Sequence, residues 1–335
     1  MKYKNLFRST IGLAMVLVVV LVTAAQGPAP SAFTPPPEVQ GQSFSITTGD
    51  PLNGVGVNPA DVLVSGVPLI LCFDLGLLCR DVDTGTYDDI QAVSFGWDFG
   101  SSGLPLLQFS VDAGSRGLPG TAVRVEADCS PAEPQGDVFE TSLDGANEQD
   151  LDGDGLACGS NSGLGLALSE GSPADNLDTL ERDPCLFPDP NCDGLPDDPI
   201  LLALAGDSPS LDLVGATGAD ILVAGIEFVP TIWAGGSTDL GLVAGDEIDA
   251  LCVGENGNAE YDDGDRVLFS LAPGSPSLAS LSASPADLLA PAPLRVLYPA
   301  GALGLETADN VDALNCETLP LHERYLPLVF KDWAG

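Results

Sequence analysis

Beyond residue 42 the apolar residues fall in short runs rich in Val, Ile and Leu, and each run is bounded by Gly, Pro, Asp or Ser. Examples are SFSI from Ser43, LLQFSV from Leu106, ILLALA from Ile200 and VLFSLA from Val267. Runs of this length and composition predict strands rather than helices, and the turn residues between them predict an all-β fold. The pattern also repeats. Residues 200–222 align without a gap to residues 267–289, with 11 of 23 positions identical, which marks a duplication. A looser version runs through the whole domain. An element like Phe-Ser-Ile begins at Phe44, Phe109, Leu202 and Phe269, and an Ala-Asp pair follows at Ala60, Ala127, Ala219 and Ala286. In the second copy Gly136-Asp137-Val138-Phe139 fits the apolar tail of the pair better, so two registers compete there. Leu-Gly-Leu then recurs from Leu75, Leu164, Leu240 and Leu303. Last comes an Asp-led strand: DDIQAV at Asp88, DNLDTL at Asp175, DEIDAL at Asp246 and DNVDAL at Asp309.

Each unit thus offers four β elements in fixed order: a (Asp-led), b (Phe-Ser), c (Ala-Asp) and d (around Leu-Gly-Leu). The chain begins in b and ends just after a. In a closed ring of repeats that offset lets the two ends of the chain complete one blade together. The fold expected is a four-bladed β-propeller, whose closure removes the exposed sheet edges of an open array. The alternative is two tandem β-sandwich domains, each of two units, with a seam between Gly206 and Gly218.

The ends of the chain have their own character. Lys2, Lys4 and Arg8 precede an apolar stretch from Ile11 to Val22, and Thr23-Ala24-Ala25 supplies small residues. This order is that of a cleavable signal peptide over residues 1–25. A Pro-rich linker (26–41), the fourfold repeat domain (42–316) and a C-terminal tail (317–335) follow. No later segment reaches the ~18 consecutive apolar residues that a membrane span needs. Export to an oxidising compartment agrees with an even count of 8 Cys, for which disulfides are expected. The sequence does not fix their connectivity, but Cys72 with Cys79 and Cys185 with Cys192 are natural local pairs, and Cys129 with Cys158 and Cys252 with Cys316 are one of the pairings open to the rest.

Charge narrows the partners. The chain holds 49 acidic and 11 basic residues, and signal cleavage removes three of the basic ones. Such a field repels nucleic acid and anionic membranes and attracts cations. The acids concentrate in loops. In Asp150-Leu-Asp152-Gly-Asp154-Gly155-Leu-Ala-Cys158 the alternating carboxylates face one centre, and the glycine permits a sharp turn. Hard oxygen ligands on a flexible loop suit Ca²⁺. The string resembles the calcium loop of excalibur domains, over about ten residues. Gly159 stands where that family has Glu, so a further ligand must come from elsewhere, with Asp144 and Glu148 nearest in sequence. A second loop, Asp189-Pro-Asn191-Cys-Asp193-Gly-Leu-Pro-Asp197-Asp198, resembles one thrombospondin type 3 repeat. That resemblance implies calcium ligands at Asp189, Asn191, Asp193 and Asp197, stapled by Cys185 and Cys192. A third acidic stretch with Glu260, Asp262, Asp263 and Asp265 lacks the alternation and reads as a hairpin turn. With the first loop placed in a c–d connection and the others in a–b connections, all three are expected on one face.

The fourth residues of the Asp-led strands are Gln91, Asp178, Asp249 and Asp312. They either ring a central channel, where they could hold a cation, or bond to nearby backbone N–H groups. Catalytic signals are weak. The single histidine, His322, stands near the C-terminus, and no His cluster or nucleotide-binding glycine motif is present. The expectation is a secreted, calcium-binding scaffold at the cell surface, with calcium ions and an extracellular polysaccharide or cell-surface protein as partners. The alternative is a secreted hydrolase that cleaves polysaccharide with paired carboxylates.

Overall fold

The apolar runs become strands, and the repeat becomes four sheets of four strands each. The computed structural model describes residues 43–47, 56–79, 87–99, 105–156, 158–159, 165–169, 174–182, 200–225, 228–254 and 260–315, all within the compact unit Pro35–Gly335. The segments expected to form a signal peptide, a linker and a C-terminal tail, and the Asp189–Asp197 loop, lie outside the described residues.

The first blade joins β1 (Ser43–Ile46), β2 (Val62–Val64) and β3 (Val67–Ile70) to the last strand of the domain, β16 (Val311–Asn315). The second contains β4 (Ile90–Phe99), β5 (Pro105–Val111), β6 (Val138–Thr141) and β7 (Glu148–Leu151). The third contains β8 (Leu177–Glu181), β9 (Ile200–Leu204), β10 (Ile221–Gly225) and β11 (Phe228–Ala234). The fourth contains β12 (Ile248–Gly254), β13 (Arg266–Leu271), β14 (Leu288–Ala290) and β15 (Arg295–Tyr298). All neighbours within a sheet run antiparallel. The Asp-led strands β4, β8, β12 and β16 are innermost and pack against one another in a ring. The protein is therefore a four-bladed β-propeller. The two-sandwich alternative fails because the inner strands of all four units meet around one axis. Closure is the expected one: Phe44 pairs with Leu314 and Ser45 with Ala313 across β1 and β16.

The core lies between blades. Ile90, Leu177, Ile248 and Val311, at equivalent positions of the four a strands, are fully buried, as are Phe44, Phe109, Leu202 and Phe269 of the b strands. Fully burying a side chain of this size contributes roughly 1.5–3 kcal/mol, so the repeat places its stabilisation evenly around the ring.

Three details differ from the sequence reading. In the second copy the c strand begins after Asp137, while Ala127-Asp128 ends a short helix, α1 (Ala122–Ala127). Leu-Gly-Leu is not strand d. It follows d and forms a single helical turn closed by a left-handed glycine, Gly76, Gly241 or Gly304 (φ 74°, 79° and 79°), at the start of the crossover to the next blade. Short helices α2 (Pro209–Val214) and α3 (Pro276–Leu281) occupy b–c connections, and the repeated Ser-Pro-Ser-Leu supplies their starts.

Disulfides join Cys72 to Cys79, the local pair expected from spacing, and Cys129 to Cys158, with Cα–Cα distances of 5.2 and 6.4 Å. Cys252 is also disulfide-bonded, to a partner outside the described residues. Among the described residues no helix is long and apolar enough to cross a membrane.

Candidate functional site

The Asp-led strand spends its acids in two different ways. The leading Asp is a frame residue. The Asp175 carboxylate accepts from the backbone N–H groups of Ser169 (2.5 Å) and Ser210 (2.8 Å) and from the Ser210 hydroxyl. Asp246 does the same with the N–H groups of Val243 (2.7 Å) and Ser277 (2.8 Å) and with the Ser277 hydroxyl. Asp88 accepts from the N–H groups of Leu78, Arg116 and Gly117, and Asp309 from that of Glu306. The first three tie the crossover entering strand a to the turn leaving strand b. Each carboxylate thereby satisfies buried donors that strands leave behind at their ends. The acid that opens strand c works alike: Asp61, Asp220 and Asp287 accept from Cys72, Gly236 and Ala300 across the blade, and Asp137 from Gly153.

The fourth residue of the motif faces the axis. In every blade the register between strands a and b slips by one residue at this point, between Ile90 and Ala92, Leu177 and Thr179, Ile248 and Ala250, and Val311 and Ala313. The slip is a β-bulge, which leaves one residue unpaired and re-aims its side chain. The bulged residues are Gln91, Asp178, Asp249 and Asp312, all at one level of the ring. The second residue of the motif reaches towards the bulged residue of the preceding blade. Asn176 Nδ2 donates to Gln91 Oε1 (3.0 Å) and to its own Asp178 (2.8 Å), and Asn310 Nδ2 donates to Asp249 Oδ2 (2.6 Å) and to Thr47 Oγ1 (2.7 Å). At the other two junctions the second residue is itself an acid. Glu247 bears on Asp178 and Asp89 on Asp312, negative against negative.

Burial pushes Asp178 well above the usual carboxylate range, and the charges of Asp249, Glu247, Asp112 and Asp207 push it further. Asp312 rises for the same first reason, with Asp249, Asp89 and Asp178 adding to it and a hydrogen bond from Thr47 opposing. Asp312 is 4% exposed, and its Oδ2 is buried without a hydrogen-bond partner.

The loop after β7 is the second acidic centre. Asp150 does not join it. Its Oδ2 lies against Arg182 Nη1 and accepts from Gln108 Nε2 (2.8 Å), in an ion pair whose side chains are 5% and 15% exposed. Asp152 Oδ1 accepts from the N–H groups of Gly155 (2.6 Å) and Leu156 (3.2 Å), and Asp154 Oδ1 from that of Leu156 (2.7 Å). These bonds close a tight turn around Gly155, whose φ of +78° favours glycine. The carboxyls of Asp152 and Asp154 lie close together, and Asp152 is raised first by burial, with the neighbouring Asp154 adding to it and the bonds from Gly155 and Leu156 opposing. Glu133, from the turn before β6, comes up to the same loop; its carboxyl is raised by burial and by the charges of Asp154 and Asp152. Sequence distance pointed to Asp144 and Glu148 instead. Only the pairing of β6 with β7 brings Glu133 in, and no local signal announced it.

The loop leaves strand d, not strand c, so it emerges at the same end of the blade as the b–c turns. The a–b connections lie at the other end. The expected single acidic face is therefore not formed. The third acidic stretch is a hairpin turn: Asp265 Oδ2 accepts from Asp262 N–H (2.7 Å) and Asp262 Oδ1 from Gly264 N–H (2.5 Å). Asp189, Asn191, Asp193 and Asp197 fall outside the described residues. Among the described residues, three metal-type ligand atoms come within 4.8 Å of one another at Glu126, Cys129 and Cys158, where the two cysteines are spent on their disulfide. Compared with known proteins, the chain matches no family model, and no curated protein or solved structure is significantly similar to it.

Proposed function

We propose that the protein is a secreted, calcium-dependent scaffold of the cell surface or extracellular matrix, whose ligand is a polysaccharide or a surface protein. The observation that carries this reading is the acidic loop itself, in which Asp152 and Asp154 lie together and their charges reach Glu133, although the three carboxyls do not bring oxygens within 4.8 Å of one another. Two neighbouring carboxyls that also act on a third repel unless a proton or a cation lies between. Ca²⁺ accepts six to eight oxygens in loose geometry and tolerates water in several positions, so it suits a loop with two or three carboxylates. Binding it couples metal affinity to loop order and to stability. The Asp189–Asp197 loop is the second place where calcium is proposed, on the strength of its sequence alone. Secretion rests on the N-terminal segment and agrees with the disulfides.

The test is thermal melting of the oxidised protein in millimolar Ca²⁺, in Mg²⁺ and in chelator. Calcium is expected to raise the melting temperature more than magnesium does, and Glu133→Gln and Asp152→Asn are expected to cut that rise. Equal melting in calcium and chelator would overturn the reading.

A second reading has one observation in its favour. The raised carboxyls of Asp178 and Asp312 resemble what a glycoside-cleaving acid requires. Both are almost fully buried on innermost strands, however, where a polymer cannot reach them. Release of reducing ends from a polysaccharide panel, lost in Asp312→Asn, would favour it over the scaffold.

A further inference from the structure

We infer that the mouth of the central channel, ringed by Asp89, Asp178, Asp249 and Asp312, binds a divalent cation, Ca²⁺, with Asp312 as the anchoring ligand. The geometry starts from the four bulges. Each unpairs one residue of an innermost strand at the same level and turns it to the axis, and three of those four residues are acids. The next blade's residue then decides how each is satisfied. Asn176 and Asn310 donate to Gln91 and Asp249. Asp178 and Asp312, on opposite blades, face Glu247 and Asp89 instead. The charges that bear on these two carboxyls are all negative. Carboxylates packed together in a buried site need a compensating positive charge or a shared proton.

Two orphaned oxygens separate those possibilities. Asp312 Oδ2 is buried with no hydrogen-bond partner, and so is the amide oxygen Oδ1 of Asn176, whose Nδ2 serves Gln91 and Asp178. A proton shared between Asp312 and a neighbouring carboxyl would do nothing for the Asn176 oxygen. Carbonyl and carboxylate oxygens are both ligands that Ca²⁺ takes, so a cation on the axis suits either kind of orphaned oxygen. Among the described residues no three carboxylates of the mouth bring oxygens within 4.8 Å of one another. The ion is therefore anchored by Asp312 with at most one further carboxylate, and water fills the remaining positions. This site shares no residue with the Glu133–Asp152–Asp154 loop, and neither depends on the other.

The experiment is a Ca²⁺ titration of the oxidised protein by calorimetry, with direct counting of bound calcium by equilibrium dialysis. Wild type is compared with Asp312→Asn, Asp178→Asn and the loop variant Glu133→Gln. Asp312→Asn is expected to lose one bound ion or to weaken it at least tenfold, and Asp178→Asn to weaken the same ion. Glu133→Gln is expected to leave that ion in place. The amide variants also relieve like-charge contact, so in chelator they should melt no lower than wild type, which verifies the fold. Unchanged calcium stoichiometry and affinity in both ring variants would overturn the proposal and leave the mouth closed by protons. Loss of calcium only in Glu133→Gln would overturn it while sparing the loop.

Discussion

Two aspartates three residues apart do opposite work in this molecule. Asp175 and Asp246 each use both oxygens to hold backbone N–H groups and a serine hydroxyl, whereas Asp178 stands among other acids on the axis. Removing the first kind leaves buried donors unpaired. Asp175→Ala is expected to cost about 3 kcal/mol, read as a lower midpoint of urea unfolding with an unchanged slope. The motif DNLDTL presents both as Asp, and residue type alone does not distinguish frame from ring. The difference lies in the bulge, which is a property of the pairing with β9. Asp150 makes the same point. Its alternation with Asp152 and Asp154 places it among calcium ligands, yet Arg182, distant in sequence, claims it. Arg182→Ala leaves a buried carboxylate unpaired and is expected to destabilise by about 3–5 kcal/mol. Asp150→Asn is expected to leave the calcium-induced rise in melting temperature intact, which melts with and without chelator can check.

At the level of elements, the strands that line the core were the legible ones. Strands a and b are buried on both sides and carry their apolar residues in every copy. Strand d is the outermost, and its four versions, VPLI, EQDL, FVPTIWA and RVLY, share no pattern because one face meets solvent. The recurring Leu-Gly-Leu is the stronger repeat signal beside them. Its leucines, such as Leu75, Leu77, Leu240 and Leu242, are buried between blades, so the repeat records packing and not strand. The single-turn helices after strand b are too short to show a helical period. One contact between elements is close enough to test. A Cβ added at Gly66, whose φ is +71°, would lie 2.7 Å from the Gly304 carbonyl oxygen, where the turn between β2 and β3 meets the crossover from the fourth blade. Gly66→Ala is expected to loosen that junction and to lower the melting temperature by several degrees, as scanning calorimetry would record.

For the molecule as a whole, a formal charge of −38 makes protons and cations the natural modulators of stability. The carboxyls that are shifted, among them Asp178, Asp312, Asp152 and Glu133, are all raised above their ordinary values. For a raised acid the folded state holds the proton at a pH where the unfolded chain has released it. Stability therefore falls as pH rises from the unfolded value, 3.8 for Asp, through the folded one. In chelator the protein is expected to become more stable as pH is lowered from neutral towards 5. With saturating calcium the slope should reverse, since protons then compete with the metal. Chemical denaturation across this range checks both signs, and Asp312→Asn should flatten the metal-free slope. The pairing of β1 with β16 adds a consequence in time. Asn315 reaches back to Ser43 across 272 residues to complete the first blade. At synthesis rates of roughly 5–20 residues per second, the first strand to be made waits about 15–50 s for its partner. No blade can be sealed into the ring before then, so the nascent domain stays open until its last strand has been made and locks in a single event.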